Sequence, residues 1–221
     1  MTALPKPHVV LHPRLSARNA AKYFRLPMAE QARFLREQKY PKEAPQVFRQ
    51  PYYAIAIWSI REYLERGERA LVDIRAKIQR IGNASQRMHV TRVVQLFTDS
   101  AHAKRSLKPA VNRKRVAYAR NIELRLSPDL IADEDNKMRY IYFNSKAEPV
   151  DPETARLTLE LAHWILDQEG VEQVDPRQIE FIDLFNGESY VGRKMRKKTL
   201  KDLNENTRLI ESLWPTLDWG D

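Results

Sequence analysis

The sequence predicts an α+β protein in which a helical first half packs on a mixed β-sheet formed by the second half. Two observations support this class. Apolar residues recur at near-helical spacings up to residue 104, and from Val116 onwards they alternate with polar residues at a period of two. We therefore expect a helical region over residues 1–110 and an α/β core with a C-terminal helix over 111–221, together forming one compact domain.

The helices of the first half are predicted from apolar stripes and from the residues that interrupt them. Pro27 and Gly67 each divide a helical pattern in two, because proline cannot continue a helix and glycine weakens one. Val90, Val93 and Phe97 lie on one stripe of a later helix. The predicted helices span residues 17–26, 29–38, 52–66, 70–81 and 86–104.

The sequence of the second half predicts strands that form a meander around a hairpin, followed by a helix and a second hairpin. The alternation from Val116 to Leu126 is typical of a half-buried strand, and residues 133–137 form a polar turn. Asp151-Pro152 is a favourable helix start, and Asn186-Gly187 is a favourable hairpin turn. The other predicted elements are extended segments at 130–132, 138–145, 178–185 and 188–191, and helices at 151–170 and 200–214.

Charge is distributed unevenly along the chain. Residues 1–120 hold 25 basic and 8 acidic side chains, and residues 121–221 hold 13 and 21. Within the first half, residues 100–120 carry no acid, and a second basic cluster spans 193–198. Such clusters attract polyanions, of which nucleic acid is the commonest in a cell. The predicted nucleic-acid-binding residues are Lys104, Arg105, Lys108, Arg113, Lys114, Arg115 and Arg120.

Composition excludes several classes of site. The 221 residues include no Cys, which rules out disulfide scaffolds, thiolate zinc sites, iron–sulfur clusters and Cys nucleophiles. The longest uncharged stretch, residues 50–60, is about half of what a membrane-spanning helix needs, and the N-terminus has no apolar signal core. We therefore expect a soluble cytoplasmic protein with no membrane partner.

One group of residues could carry chemistry, and it lies across the first hairpin. Asp129 follows Pro128 at the end of one strand, and Asn144 and Lys146 lie at the end of the next. A separation of two residues in a strand puts Asn144 and Lys146 on the same face, and the hairpin brings that face beside Asp129.

This arrangement resembles the PD-(D/E)xK nuclease superfamily, in particular its RecB-like and CRISPR-associated exonuclease branch. The resemblance covers residues 120–191 and implies a restriction-endonuclease-like mixed sheet with an αβββαβ core. It also implies Asp129 as a ligand of magnesium or manganese and Lys146 as the cation that positions the attacking water. Magnesium held by carboxylates stabilises the charge that develops in phosphodiester hydrolysis.

The middle position departs from the family pattern. Asn144 stands where the family has Asp or Glu, and a neutral amide contributes no charge to a magnesium site. Glu148 shares strand parity with Asn144, and Glu123 shares parity with Asp129. Either glutamate could supply the missing carboxylate, so Glu148 is a candidate catalytic residue and Glu123 a candidate metal ligand.

Three functions remain open on this sequence. The first is a DNA-associated protein of the PD-(D/E)xK type, either a magnesium-dependent nuclease with an altered centre or a degenerate relative that retains binding and needs no cofactor. The second is a noncatalytic nucleic-acid-binding or scaffold subunit of a larger complex or defence system, with other protein subunits as partners. The third is a basic helical RNA-binding module; DNA is preferred to RNA as the partner.

Overall fold

The structure is a computed structural model that describes residues 8–41, 50–170 and 174–218, with the side chains of 50–52 outside that description. The helices of the first half are interrupted where the sequence predicts breaks, at Pro27 and at Gly67. Ser16 caps the first helix by accepting the Asn19 N–H, and Gly67 adopts a positive φ of 61° after the third. These helices are α1 (Ala17–Arg25), α2 (Met28–Lys39), α3 (Gln50–Arg66), α4 (Leu71–Gln79) and α5 (Ala84–Asp99).

The last of these helices is shorter than the sequence predicts. The prediction of a continuous helix over 86–104 is wrong, because α5 stops at Asp99 and residues 101–104 form a separate 3-10 turn. Ser100 explains the break: its backbone is extended, and its hydroxyl accepts the His102 N–H, as a helix cap does.

A five-stranded mixed sheet forms the centre of the second half. A turn at Asp135 and Asn136, both with positive φ, closes its first hairpin, and Gly187 does the same in the second. The strand order is β2-β5-β6-β7-β8, and β6 and β7 are parallel. The strands are β2 (Lys108–Pro109), β5 (Leu130–Glu134), β6 (Lys137–Asn144), β7 (Ile179–Asp183) and β8 (Glu188–Val191).

The crossover between β6 and β7 is the helix α6 (Pro152–Gln168), which begins as predicted. The Asp151 carboxylate accepts the Thr154 N–H, and Pro152 occupies the first turn, where its missing N–H has no cost. Gly170 follows the helix with a positive φ of 63°.

A separate three-stranded sheet departs from the prediction. Its strands are β1 (Arg14–Ser16), β3 (Arg115–Ala119) and β4 (Ile122–Leu126), in the order β1-β4-β3. The prediction of one strand over 116–126 is wrong, because the chain reverses at Arg120, whose φ is 57°. β1 comes from the predicted helical region and pairs in parallel with β4. The mixed α+β class is confirmed, whereas the αβββαβ core stays a prediction.

Two apolar clusters place the helices on opposite faces of the five-stranded sheet. Leu130, Ile141 and Phe143 face the cluster that includes residues of α3, α4 and α5. Tyr142 and Phe181 face the other cluster, which includes residues of α1, α6 and the inner side of the three-stranded sheet. Strand alternation therefore decides which helices each strand residue meets.

The final helix, α7 (Lys197–Leu213), is tied to the beginning of the chain. Lys39 is buried, and its ammonium donates to the carbonyl of Trp214 at 2.9 Å and to that of Leu217 at 2.6 Å. The Trp214 indole N–H in turn donates to the Val10 carbonyl at 3.3 Å. The carbonyls just beyond the helix thus satisfy a buried charge. None of the described helices is long and apolar enough to span a membrane.

Candidate functional site

Asp129 lies just before β5, and its side chain is enclosed by protein. Its Oδ2 accepts a hydrogen bond from the Phe143 N–H at 2.7 Å and another from the Arg18 Nη2 at 2.5 Å. The Asp129 side chain is only 8% exposed. The Asp129 N–H donates to the Ile141 carbonyl at 2.9 Å, which holds the residue against β6. The carboxylate is therefore a paired group inside the fold.

Arg18 of α1 and Tyr53 of α3 complete this network. The Arg18 Nη1 donates to the Tyr53 hydroxyl at 3.1 Å, and the guanidinium carbon lies 5.2 Å from the Tyr142 ring centroid. Burial is the largest single influence on Arg18 and lowers its pKa, but Asp129 and Tyr53 together outweigh burial and raise the pKa of Arg18 above its ordinary value. We call Arg18, Tyr53, Asp129 and Phe143 the Asp129 corner.

Burial also affects the tyrosine of this corner. Burial and the Asp129 carboxylate both raise the pKa of Tyr53, so its hydroxyl stays protonated at neutral pH. The corner thus holds one cation and one anion, and each has its main partner in the other. The two charges of the corner therefore balance, although the Arg18 Nε has no hydrogen-bond partner among the described residues.

Asn144 is turned towards β7. It stands beside Asp183 in the parallel register, and its Nδ2 donates to Asp183 Oδ2 at 3.1 Å and to the Glu148 carbonyl at 2.8 Å. Its Oδ1 accepts the Lys146 N–H at 3.1 Å. Asp183, which the sequence analysis did not single out, is fully buried and also accepts the Val150 N–H at 2.9 Å. Asn144 and Asp183 therefore hold the loop between β6 and α6.

The remaining predicted catalytic and metal residues lie apart from these contacts. Lys146 and Glu148 are exposed, and the Asn144 amide uses the backbone carbonyl of Glu148 rather than its carboxylate. Glu123 lies in the three-stranded sheet, where Arg125 donates to its carboxylate and Lys114 Nζ lies 3.8 Å away. The roles of these residues in catalysis stay predictions.

The donors around Asp129 and Asn144 do not fit a magnesium ion. Magnesium requires oxygen ligands in octahedral geometry, usually one or two free carboxylates and several waters. Here Asp129 is paired with Arg18. The Asn144 Nδ2 donates to Asp183 and to the Glu148 carbonyl, and its Oδ1, the atom that could ligate a metal, accepts the Lys146 N–H. Across residues 8–41, 50–170 and 174–218, no group of three or more His, Asp or Glu side chains is arranged to hold a metal ion.

The predicted nucleic-acid-binding residues divide into paired and open cations. Arg105 donates to both Glu134 and Glu180 and is 21% exposed. Arg115 pairs with Glu169 at 3.1 Å, and Arg120 pairs with Glu211 at 2.5 Å. These three guanidinium groups are therefore engaged within the fold.

The open cations are Lys104, Lys108 and Arg113, which are exposed. Among the described residues none of them has an acidic side chain within ion-pair distance. Lys114 is 69% exposed and lies at 3.8 Å from Glu123, which is a loose contact. Lys108 lies in β2, and Arg113 and Lys114 lie in the connection from β2 to β3. We call residues 108–114 the basic loop.

Next to the basic loop, the three-stranded sheet turns a polar face outwards. Tyr118 lies opposite Glu123, and Glu123 lies opposite Arg14, so these residues cross the sheet in one row. Arg125 occupies the next outward position on β4. We call Arg14, Lys114, Tyr118, Glu123 and Arg125 the outer face. Neither Arg14 nor Arg125 was predicted to belong to a site, because the pairing of β1 with β4 is long-range and leaves no local pattern in the sequence.

Comparisons with known proteins return no relative. No family model matches the sequence, and no match is found among curated proteins or solved structures.

Proposed function

We propose that this protein binds nucleic acid through the basic loop and does not cleave it. The observation that carries the proposal is the set of exposed cations Lys108, Arg113 and Lys114 in one short segment, two of them without an acidic partner among the described residues. Lysine and arginine side chains that are free of acids can neutralise phosphates and release counterions.

The local charge supports this proposal. The chain carries a formal net charge of +9, and paired arginines such as Arg105 contribute little to the field outside the protein because their carboxylates lie beside them. The open cations are less offset by acids than these arginines, although Asp133 lies opposite Lys108 in the pairing of β2 with β5. Lys104 extends the open cations on the side of the preceding 3-10 turn.

The absence of cleavage is proposed because of the partners of Asp129 and Asn144. Magnesium at this corner would compete with Arg18 for the Asp129 carboxylate, and Asn144 could bind it only through Oδ1, which accepts the Lys146 N–H. The loss of either hydrogen bond would cost free energy. On this proposal the protein acts as a noncatalytic binding subunit.

The experiment measures the binding of fluorescent oligonucleotides to the full chain over a range of salt concentrations. The double variant Lys108→Gln with Arg113→Gln is expected to weaken binding and to reduce the slope of log K against log salt by about 1 for each cation. A matched control changes Arg33→Gln and Lys201→Gln, whose side chains are 77% and 74% exposed and lie near acids. Equal losses in both variants, or wild-type affinity that does not change with salt, overturn the proposal.

The same protein tests the nuclease alternative. With magnesium or manganese, a plasmid and a single-stranded oligonucleotide are expected to remain intact. Cleavage that disappears in Lys146→Ala would instead establish a metal-dependent nuclease. Lys146 is exposed, so this variant keeps the fold and a loss of activity can be assigned to chemistry.

A further inference from the structure

We infer that the outer face of the three-stranded sheet is a binding surface for single-stranded nucleic acid, on which Tyr118 stacks with an unpaired base. This inference rests on the proposed function, because it assigns the nucleic-acid class and the second part of the same surface. It is carried by strand register, exposure and charge.

The strand register brings the polar and aromatic residues of the outer face side by side. Tyr118 on β3 is paired with Glu123 on β4, and Glu123 with Arg14 on β1, which places an aromatic ring, a carboxylate and a guanidinium in one row. Arg125 is paired with Val116 on one side and Ser16 on the other, so it forms the adjacent row. Neighbouring strands lie about 4.8 Å apart and the two rows lie about 7 Å apart along the strands, so the face fits within the span of a few nucleotides.

Exposure distinguishes the two sides of this sheet. Ile122, Leu124 and Leu126 of β4 point into the core, whereas Tyr118 is 64% exposed on the opposite side. A tyrosine that is mostly open offers a ring face to a ligand, and every nucleobase can stack on such a face. A base inside a duplex is already stacked and paired, so this ring favours single strands.

Charge on the outer face favours a polyanion. Arg14, Lys114 and Arg125 surround Glu123, which is the single acid of the face, and Arg125 already donates to its carboxylate. The surplus is positive, and the basic loop continues it beyond β3. Phosphates on both sides of a stacked base would therefore find cations, which is the arrangement typical of single-strand-binding grooves.

The edges of the three-stranded sheet are poorly suited to pairing with a strand of a partner protein. Glu169 of the segment after α6 accepts the Val116 N–H at 2.7 Å, so the free edge of β3 lacks a donor that an added strand would need. The other edge strand, β1, has three residues and runs directly into α1. Between the two classes of partner, the nucleic acid fits this surface better.

The test compares a thymidine oligonucleotide of about 15 residues with a duplex of the same length, both fluorescently labelled, on the full chain. Tyr118→Ala is expected to weaken single-strand binding about tenfold and to change duplex binding less than about twofold. Tyr118→Phe keeps the ring and is expected to bind the single strand as the wild type does. Arg14→Gln is expected to weaken single-strand binding, with Arg33→Gln as the matched exposed control.

A second readout is independent of affinity. An oligonucleotide containing 5-bromodeoxyuridine is irradiated on the wild-type protein, and the crosslinked peptide is expected to contain Tyr118. If Tyr118→Ala binds the single strand as well as the wild type and the crosslink falls elsewhere, the inference is overturned, while a loss confined to the Lys108/Arg113 variant still supports the proposed function. If no oligonucleotide binds at all, the proposed function and the inference fail together.

Discussion

The Asp129 corner and the outer face contain similar side chains in opposite surroundings. In the corner, Arg18 and Asp129 are paired at 2.5 Å, and the carboxylate is 8% exposed. On the outer face, Arg14 and Lys114 surround one acid, and Tyr118 is open. The comparison shows that the role of a charged residue depends more on its partners than on its type. A charge that is paired inside the protein supports the fold, whereas an unpaired charge at the surface can contact a ligand.

The largest effect is expected from breaking the corner. Asp129→Asn leaves the Arg18 guanidinium without its counterion, and the free energy of unfolding should fall by about 3 kcal/mol. Urea denaturation of the full chain measures the loss. The control is Asp73→Asn, whose side chain is 55% exposed beside Arg66, with an expected change of less than about 0.5 kcal/mol. Equal changes in both variants would show that the corner has no special role in stability.

A smaller effect is expected at a second internal cluster, in which Arg105 and Arg139 share Glu134 and Glu180. The hydrogen bond from Arg105 holds the pKa of Glu134 below its ordinary value. This carboxylate therefore contributes stability above its ordinary pKa and loses it as the pH falls through the folded value. The contribution should be complete at neutral pH.

The variant that tests this cluster is Glu134→Gln. It should lower the free energy of unfolding by about 2 kcal/mol near neutral pH, because Arg105 loses a charged acceptor. The difference from wild type should shrink between neutral pH and an acidic pH below the lowered pKa of Glu134, where the wild-type carboxylate also becomes protonated. Denaturation curves at both pH values measure it, and a difference that is constant with pH would contradict the assigned role of the ion pairs.

The smallest stability effect is expected on the open side of the comparison. The double variant Lys108→Gln with Arg113→Gln should change the free energy of unfolding by less than about 0.5 kcal/mol, because these side chains have no described acidic partner to lose. The same denaturation experiment measures it. A large loss of stability would place these cations with Arg105, among the residues that support the fold.

The sequence predicted the local elements well and the long-range ones poorly. Pro27, Asp151 and the Asn186-Gly187 turn act through neighbouring residues, and the structure places helix breaks, a cap and a hairpin there. The strand β1 was missed, because three residues that pair with β4 more than 100 positions away carry no local pattern.

The candidate site was predicted without the partners of its residues. Asn144 ends β6 as expected, whereas Asp129 lies just before β5 and not at the end of the preceding strand. Their actual contacts come from Arg18 on α1 and Asp183 on β7, and no spacing rule connects residues so far apart in the chain. For the same reason Arg105 was grouped with the open cations, because its partners Glu134 and Glu180 lie far along the chain on β5 and β7.

The buried ammonium of Lys39 has a consequence for how the molecule opens. It joins the end of α2 to two carbonyls beyond α7, and their separation along the chain is 175 and 178 residues. Fraying of either end alone would strand a charge in an apolar interior, so both ends are expected to detach in a single cooperative event. Backbone amides of these two helices should then exchange with solvent at matching rates, as one folding unit.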